Sequence, residues 1–126
     1  MIKKIPEAEL KVMKFIWKMN KAVSSKDVIA AMEEQFYWKQ TTTLTLLSRL
    51  VNKRHFLCAE KIDRFTHYTV VVGEEEYKNF ETRNFFDSIH GNSKKSLIAS
   101  LYADNILSEK TFESFKESFS STEEDE

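Results

Sequence analysis

A polar helix face without acidic residues is the most informative chemical feature of this sequence. The stretch 39–54 reads KQTTTLTLLSRLVNKR, and at about 100° per residue its polar side chains gather on one side of a helix. They are Thr41, Thr42, Thr45, Ser48, Arg49, Asn52 and Lys53. Hydroxyls on short side chains can donate to phosphate oxygens, while Arg and Asn have the forked geometry that pairs with base edges in the major groove. The face is therefore a candidate DNA-binding surface.

The opposite side of the same helix is predicted to face a protein core. It carries Thr43, Leu44, Leu46, Leu47, Leu50 and Val51. Threonine is a mediocre helix former, so a merely solvated face would more often be built from Glu, Lys and Gln. Periodicity alone still leaves a second interpretation open, that of an ordinary amphipathic helix whose outer face lacks carboxylates.

The charge distribution divides the chain into a basic and an acidic part. Residues 1–72 contain 13 Lys and Arg against 7 Asp and Glu, whereas residues 73–126 contain 6 against 13. A basic first part favours contact with a polyanion. Uneven solubilising charge is the alternative explanation.

Composition favours a mainly α-helical protein in the cytoplasm. Two glycines and one proline in 126 residues are too few for many tight turns. No apolar run approaches the roughly 20 residues that span a bilayer, and MIKKIPEAEL lacks the apolar core of a signal peptide. A single cysteine, Cys58, permits no internal disulfide. We therefore expect cytoplasmic localisation without membrane insertion.

The order of elements in residues 1–72 predicts a winged helix-turn-helix domain. Helices are expected over 6–19 and 26–35, with Ser24 or Ser25 as the cap of the second and a short break over 20–23. The polar helix follows, and two strands, 55–60 and 64–72, are expected to form a hairpin. Lys61 and Arg64 at the hairpin tip are candidate phosphate contacts. In this arrangement the third helix reads DNA and the hairpin is the wing.

Residues 73–120 are predicted to form a C-terminal helical dimerisation region, with helices over 74–90, 93–103 and 108–120. Large apolar side chains are too numerous here for so thin an arm to bury alone. They are Tyr77, Phe80, Phe85, Phe86, Ile89, Leu97, Ile98, Leu101, Tyr102, Ile106, Leu107, Phe112, Phe115 and Phe119. A homodimer would cover them. Residues 121–126 are expected to be a disordered acidic tail.

Metal binding and catalysis find little support in the sequence. The soft metal ligands are Cys58, His55, His67 and His90. If the hairpin pairs Glu60 with Phe65, then Cys58 lies opposite His67, which supplies two ligands where structural zinc usually takes four. No nucleophile has a neighbouring base pattern and no glycine-rich phosphate loop occurs. We therefore expect neither a metal nor another cofactor, and no enzyme activity.

The chain resembles the penicillinase-repressor family of bacterial winged-helix transcriptional repressors over almost its whole length. Three ordered motifs carry the resemblance. The first helix has Ile5, Ala8, Glu9, Val12, Met13, Ile16 and Trp17; the third has Trp38, Thr42, Thr45, Leu46, Arg49, Leu50 and Lys53; the wing has Arg64 and Tyr68. The pairs Ser96-Leu97 and Leu107-Ser108 lie where the family has similar pairs in its dimerisation helices.

The resemblance implies a homodimer that binds palindromic double-stranded operator DNA and represses genes, typically those of β-lactam resistance. It also implies release by a membrane-bound sensor protease that cuts an Asn-Phe bond in the dimerisation region. That pair falls on Ser100-Leu101 here, so these residues are the candidate cleavage site. The usual proline near the start of the third helix is replaced by Gln40.

A further departure concerns the end of the third helix, where the usual glycine is replaced by Arg54. The helix end therefore lacks a residue that adopts the left-handed conformation without strain, at a local cost of about 1 kcal/mol. The remaining alternative function is a winged-helix module that binds proteins without sequence-specific DNA recognition.

Overall fold

The computed structural model describes residues 2–122, apart from the side chains of residues 115, 116 and 118–122. The described elements alternate between helices and short strands. In chain order they are α1 (Glu7–Met19), β1 (Val23–Ser24), α2 (Ser25–Phe36), α3 (Gln40–Asn52), β2 (Leu57–Ile62), β3 (Phe65–Val70), α4 (Glu74–Ile89), α5 (Lys94–Ala103) and α6 (Glu109–Thr122). The predicted mainly α fold class with a hairpin is confirmed. Of the predicted disordered tail, 121–126, the first two residues belong to α6 instead, and the rest lie outside the described residues.

Local sequence explains where the first three helices begin and end. Pro6 precedes α1 in an extended conformation, and Asn20 ends the helix with a left-handed φ of 56°. Ser24 caps α2, because its side chain accepts a hydrogen bond from the Asp27 N–H at 3.2 Å. Lys39 precedes α3, also in an extended conformation.

The sheet has one more strand than the sequence indicated. Val23 and Ser24, predicted as the end of a break and a helix cap, pair antiparallel with Tyr68 and His67. The strand order is β1-β3-β2. A two-residue strand has no alternating pattern long enough to be recognised in the sequence, which is why it was missed. Burial of Tyr68 in this sheet raises the pKa of its phenol.

The hairpin is tighter than predicted, so its expected register is wrong. Ile62 pairs with Phe65, and only Asp63 and Arg64 form the turn. Asp63 has a φ of 59°, which Asp tolerates and which suits a two-residue hairpin turn. The predicted partners shift accordingly: Glu60 lies opposite His67, and Cys58 lies opposite Thr69. The expected Cys58 and His67 pair is therefore not formed.

The chain divides into two compact units, residues 1–78 and 79–126. In the first unit, α1, α2, α3 and the sheet enclose a single apolar core. Its buried members include Val12, Met13, Ile16, Val28, Met32, Leu46, Leu47, Leu50, Phe56, Leu57 and Tyr68. Leu44 was predicted to face the core from α3, but it is 37% exposed.

Tyr77, in the first turn of α4, belongs to the core of the first unit. It is buried, and its hydroxyl accepts a hydrogen bond from the Ile5 N–H at 3.0 Å. Its ring packs edge-on against Phe56, with the ring centroids 5.4 Å apart. Nearby, the Trp17 indole donates to the Val72 carbonyl at 3.0 Å. These contacts extend the packed unit beyond Val72, the predicted domain boundary.

The second unit contains the remainder of α4 with α5 and α6. Ser93 caps α5 by accepting from the Ser96 N–H at 3.1 Å. The rings of Tyr102 and Phe112 are stacked, with their centroids 4.3 Å apart. No residue of α5 is fully buried. This unit therefore has few buried side chains to stabilise it on its own.

Candidate nucleic-acid interface

The outer face of α3 presents every polar side chain that the sequence placed there. Thr41, Thr42, Thr45, Ser48, Arg49, Asn52 and Lys53 are all exposed. The face is held outward because Thr43, Leu46, Leu47 and Leu50 on the other side are buried in the core. No acidic residue lies in α3, so the surface combines hydroxyls, an amide and two cations. Phosphate oxygens and base edges are the complementary groups.

Arg49 and Asn52 lie one helical turn apart on this face. The Asn52 side-chain amide donates to the Ser48 hydroxyl at 3.2 Å, which aligns the amide along the helix surface. Among the described residues, no carboxylate lies within ion-pair distance of Arg49. Its guanidinium is therefore available to a ligand that offers two acceptors, such as the edge of guanine.

The beginning of α3 is electropositive and lacks the capping seen at α2. No side-chain hydrogen bond caps it, and its first turn contains no acidic residue. The Thr42 and Thr43 N–H groups donate to the Lys39 carbonyl at 3.1 and 3.3 Å. The partial positive charge of the helix dipole thus lies beside the Thr41 and Thr42 hydroxyls, an arrangement that favours an anionic group.

The end of α3 is tied to α1 by an ion pair. The Arg54 Nε donates to Glu9 Oε1 at 2.8 Å, and its Nη2 donates to Oε2 at 3.4 Å. The Glu9 side chain is 1% exposed and that of Arg54 is 22% exposed. The hydrogen bond to Glu9 raises the pKa of the Arg54 guanidinium. The pair therefore fixes the end of the polar helix against α1.

The left-handed residue at this end is His55, with a φ of 60°, and not Arg54. The Phe56 N–H then donates back to the Leu50 carbonyl at 2.8 Å, which closes the helix end although no glycine is present. The left-handed residue is therefore one position later than the family resemblance predicted, at His55 and not at Arg54. Arg54 keeps an ordinary backbone conformation and uses its side chain for Glu9.

The wing carries the remaining predicted contacts. Lys61 lies near the end of β2, paired with Thr66, and Arg64 lies in the turn. Both side chains are exposed. They belong to the same compact unit as α3. Glu60 on β2 and Asp63 in the turn balance these two cations, so the wing has no net formal charge.

The last candidate site, Ser100-Leu101, lies within α5. Ser100 is exposed, whereas Leu101 is half-buried. The Ser100 carbonyl accepts from the Asp104 N–H at 3.1 Å, and the Leu101 carbonyl accepts from the Ile106 N–H at 2.9 Å. The backbone on both sides of this peptide bond is therefore hydrogen-bonded in a helix.

Neither a metal site nor a membrane-crossing helix is found in the part of the chain that the structure describes. Within residues 2–122, no three His, Cys, Asp or Glu side chains converge in a way that could hold a metal ion. In the same range, no helix has both the length and the apolarity that crossing a bilayer requires.

Sequence reasoning missed the pairing of Glu9 with Arg54. Glu9 continues the spacing of Ile5, Val12, Met13 and Ile16, all of which are buried. A carboxylate at a core position requires a partner, so this spacing was a usable signal for an ion pair. The identity of the partner, 45 residues away, could not be read from periodicity.

Comparison with known proteins identifies similar chains. The family model of the penicillinase repressor matches residues 5–121. A 16.5 kDa protein of Latilactobacillus sakei is 33% identical, over 83% of this chain and 70% of that protein. A penicillinase repressor of Bacillus licheniformis is 30% identical, over 85% and 84%. The methicillin resistance regulatory protein MecI of Mammaliicoccus sciuri is 29% identical, over 89% of each chain.

A solved structure is similar in fold as well as in sequence. The DNA binding domain of the repressor BlaI, determined in solution, aligns with a TM-score of 0.54 at 35% identity. The alignment covers 61% of this chain and 94% of that domain.

Proposed function

Because this chain belongs to the penicillinase repressor family, we propose that it is a transcriptional repressor that binds DNA through α3. The observation that carries the proposal is the outer face of α3, where seven polar side chains are exposed and none is acidic. The similarity to the DNA binding domain of the repressor BlaI, in both fold and sequence, supports the proposal. The helix enters the major groove, where a helix of this width fits.

Within the groove, the side chains have two kinds of role. Arg49 and Asn52 read base edges, because each offers two hydrogen-bonding groups in a fixed fork. Thr41, Thr42, Thr45, Ser48 and Lys53 contact the sugar-phosphate backbone and fix the register of the helix. Lys61 and Arg64 on the wing contact phosphates beside the site and add affinity that is independent of sequence.

The repressor acts as a homodimer on a palindromic operator. Large apolar side chains in the second unit remain open to solvent in the single chain: Ile89 and Ile106 are each 65% exposed, and Phe85 is 47% exposed. A hollow of about 430 Å³ adjoins Phe85, Leu97, Leu101 and Ile106. A second copy would cover such a surface, and two-fold symmetry would set two α3 helices roughly 34 Å apart, one turn of DNA.

The regulated genes are those of β-lactam resistance. The printed names of two relatives, a penicillinase repressor and a methicillin resistance regulatory protein, support this assignment. The assignment concerns which genes lie beside the operator, and a test therefore requires the operator sequence.

Repression ends by cleavage of the Ser100-Leu101 bond by a membrane-bound sensor protease. The bond lies near the C-terminal end of α5, three residues before Ala103, where local unwinding costs less than at the centre of a helix. Cleavage would detach α6 from the rest of the chain and reduce the avidity of a dimer without altering α3.

Cleavage is tested by intact mass after cells that produce the protein are exposed to a β-lactam. The expected result is a fragment ending at Ser100 that accumulates as the genes are derepressed. A variant that combines Ser100→Asn with Leu101→Phe should be cut at the same bond. Derepression while all the protein keeps its full length would exclude cleavage as the switch.

DNA binding is tested by selecting bound duplexes from a random pool with the full-length protein, then measuring affinity across a salt series. A palindrome with half-sites one turn apart is expected, with affinity that falls steeply as salt rises. Lys110→Ala, which removes an exposed cation from α6 in the second unit, serves as the control and should bind as the parent does. Absence of duplex binding at low salt would contradict the proposal and favour a module that binds proteins.

A further inference from the structure

Tyr37, in the turn between α2 and α3, combines a strained backbone with an unusually exposed side chain. Its φ and ψ are 59° and 31°, in the left-handed region that disfavours bulky side chains. Four of the other left-handed residues are Asn or Asp, the types that tolerate this conformation: Asn20, Asp63, Asn92 and Asn105. At 89%, Tyr37 is also the most exposed large hydrophobic residue in the described part of the chain.

Packing does not account for an aromatic residue at this position. The neighbouring rings of Phe36 and Trp38 lie against each other, with their centroids 5.2 Å apart, and both residues are half-buried. In the turn, the Tyr37 N–H donates to the Glu33 carbonyl at 2.9 Å and ends α2. Glycine or asparagine would make the same bond with less strain. The turn therefore does not require the phenol, which is exposed to solvent.

The position of Tyr37 indicates what the phenol contacts. It precedes Gln40, the first residue of α3, by three positions, so its backbone adjoins the electropositive beginning of that helix. Thr41 and Thr42, the first two hydroxyls of the outer face, follow directly. A phenol is a neutral hydrogen-bond donor, and tyrosine hydroxyls are among the groups that contact phosphate oxygens in DNA complexes.

We propose that the Tyr37 hydroxyl donates a hydrogen bond to a DNA phosphate flanking the bases read by α3. This inference rests on the proposed function, because it assumes that α3 enters the groove. The residue contacts the backbone and carries no sequence preference. Because the phenol is uncharged, its contact releases no counterion, which distinguishes it from the contacts of Lys53, Lys61 and Arg64.

The test compares full-length variants on the selected operator and on random duplex DNA of the same length. Tyr37→Phe removes only the hydroxyl and should weaken binding to both duplexes by the same factor, about tenfold. The dependence of affinity on salt should keep its slope. Tyr37→Asn retains a residue suited to the left-handed turn; it should lose at least as much affinity while its melting temperature is equal to or above that of the parent.

Thr82→Val provides the control, because it removes an exposed hydroxyl from α4, away from the residues proposed to contact DNA or the second copy, and should bind DNA as the parent does. If Tyr37→Phe binds both duplexes like the parent, the proposal is wrong, and the side chain is then free to serve a protein partner. A loss confined to the operator would also overturn it, because that pattern indicates base reading. Failure of the parent itself to bind duplex DNA would overturn the proposed function together with this inference.

Discussion

Glu9 in the first turn of α1 and Arg54 just after α3 form an ion pair in which the carboxylate is almost fully buried. Two hydrogen bonds, of 2.8 and 3.4 Å, join the two groups. Removal of one partner would leave a buried charge uncompensated, whereas removal of both would not. The pair therefore sets how firmly the end of the reading helix is held.

Arg54→Ala should lower the midpoint of thermal unfolding by several degrees, and Arg54→Lys should lower it less because a cation remains near Glu9. The double variant Glu9→Gln with Arg54→Ala should be more stable than Arg54→Ala alone. Thermal unfolding followed by circular dichroism measures all three. Because the hydrogen bond to Glu9 raises the pKa of Arg54 in the folded protein, the stabilisation linked to this raised pKa is lost as the pH rises through the raised value. Equal stability of the double variant and Arg54→Ala would contradict this prediction, because the unpaired Glu9 carboxylate would then cost nothing.

Thr43 offers an opportunity to stabilise the protein. Its side chain is fully buried, and its hydroxyl has no hydrogen-bond partner among the described residues. Thr43→Val keeps the shape and removes the unsatisfied group, so it should raise the free energy of unfolding by about 1 kcal/mol in urea denaturation. Thr45→Val, on the exposed face, is the matched control and should change stability little. A destabilised Thr43→Val protein would mean that the hydroxyl is satisfied in solution.

Arg49 is expected to supply base recognition. Arg49→Ala should cost about 1–3 kcal/mol in operator binding and relax the preference at one base pair. Arg49→Lys keeps the charge but loses the fork, so it should restore affinity for random DNA more than affinity for the operator. Competition binding with single-base operator variants reports both effects. If Arg49→Ala retains the parent's affinity and base preferences, Arg49 does not read a base.

The two wing residues should behave as phosphate contacts. Lys61→Ala and Arg64→Ala should each weaken operator and random binding alike, and each should reduce the slope of log affinity against log salt by about one unit. Glu60→Gln, which removes a negative charge from the same strand, is a useful opposite control and should not reduce affinity. A wing variant with specificity altered at a base position would show that the hairpin enters a groove.

A fragment of residues 1–78 should fold and remain monomeric, because it retains the Tyr77 contacts with Ile5 and Phe56. A fragment ending at Val72 should melt at a lower temperature, since it loses those contacts. Both should lose most operator affinity through the loss of avidity. Sedimentation measures the mass of each fragment, and a tight dimer of 1–78 would relocate the dimer interface to the first unit.

The sequence predicted long periodic elements well and short or long-range features poorly. Helices α1 to α3 repeat every 3.6 residues over at least three turns, which makes their extent and their inner faces readable. Strand β1 has two residues, too few for any period. The hairpin register depends on turn geometry, and a turn of two residues replaced the longer one that the charged segment suggested.

The candidate interface was predictable for the same reason, because it is one face of one helix. The contact proposed for Tyr37 was not predictable from the sequence. It depends on a left-handed turn, and a tyrosine in the sequence gives no sign of that backbone conformation. The ion pair of Glu9 and Arg54 depends on two helix ends that meet only in the folded bundle.

Ser24 takes part in two structures at once: its side chain caps α2, and its backbone belongs to the strand that pairs with His67 in β3. In evolutionary terms, this single position constrains both the start of α2 and the sheet that forms the wing. Only residues that cap a helix and also tolerate an extended strand can replace it, which leaves Thr as the most suitable alternative. A lineage that altered the wing by insertion beside this position would have to find a new cap for α2 in the same step.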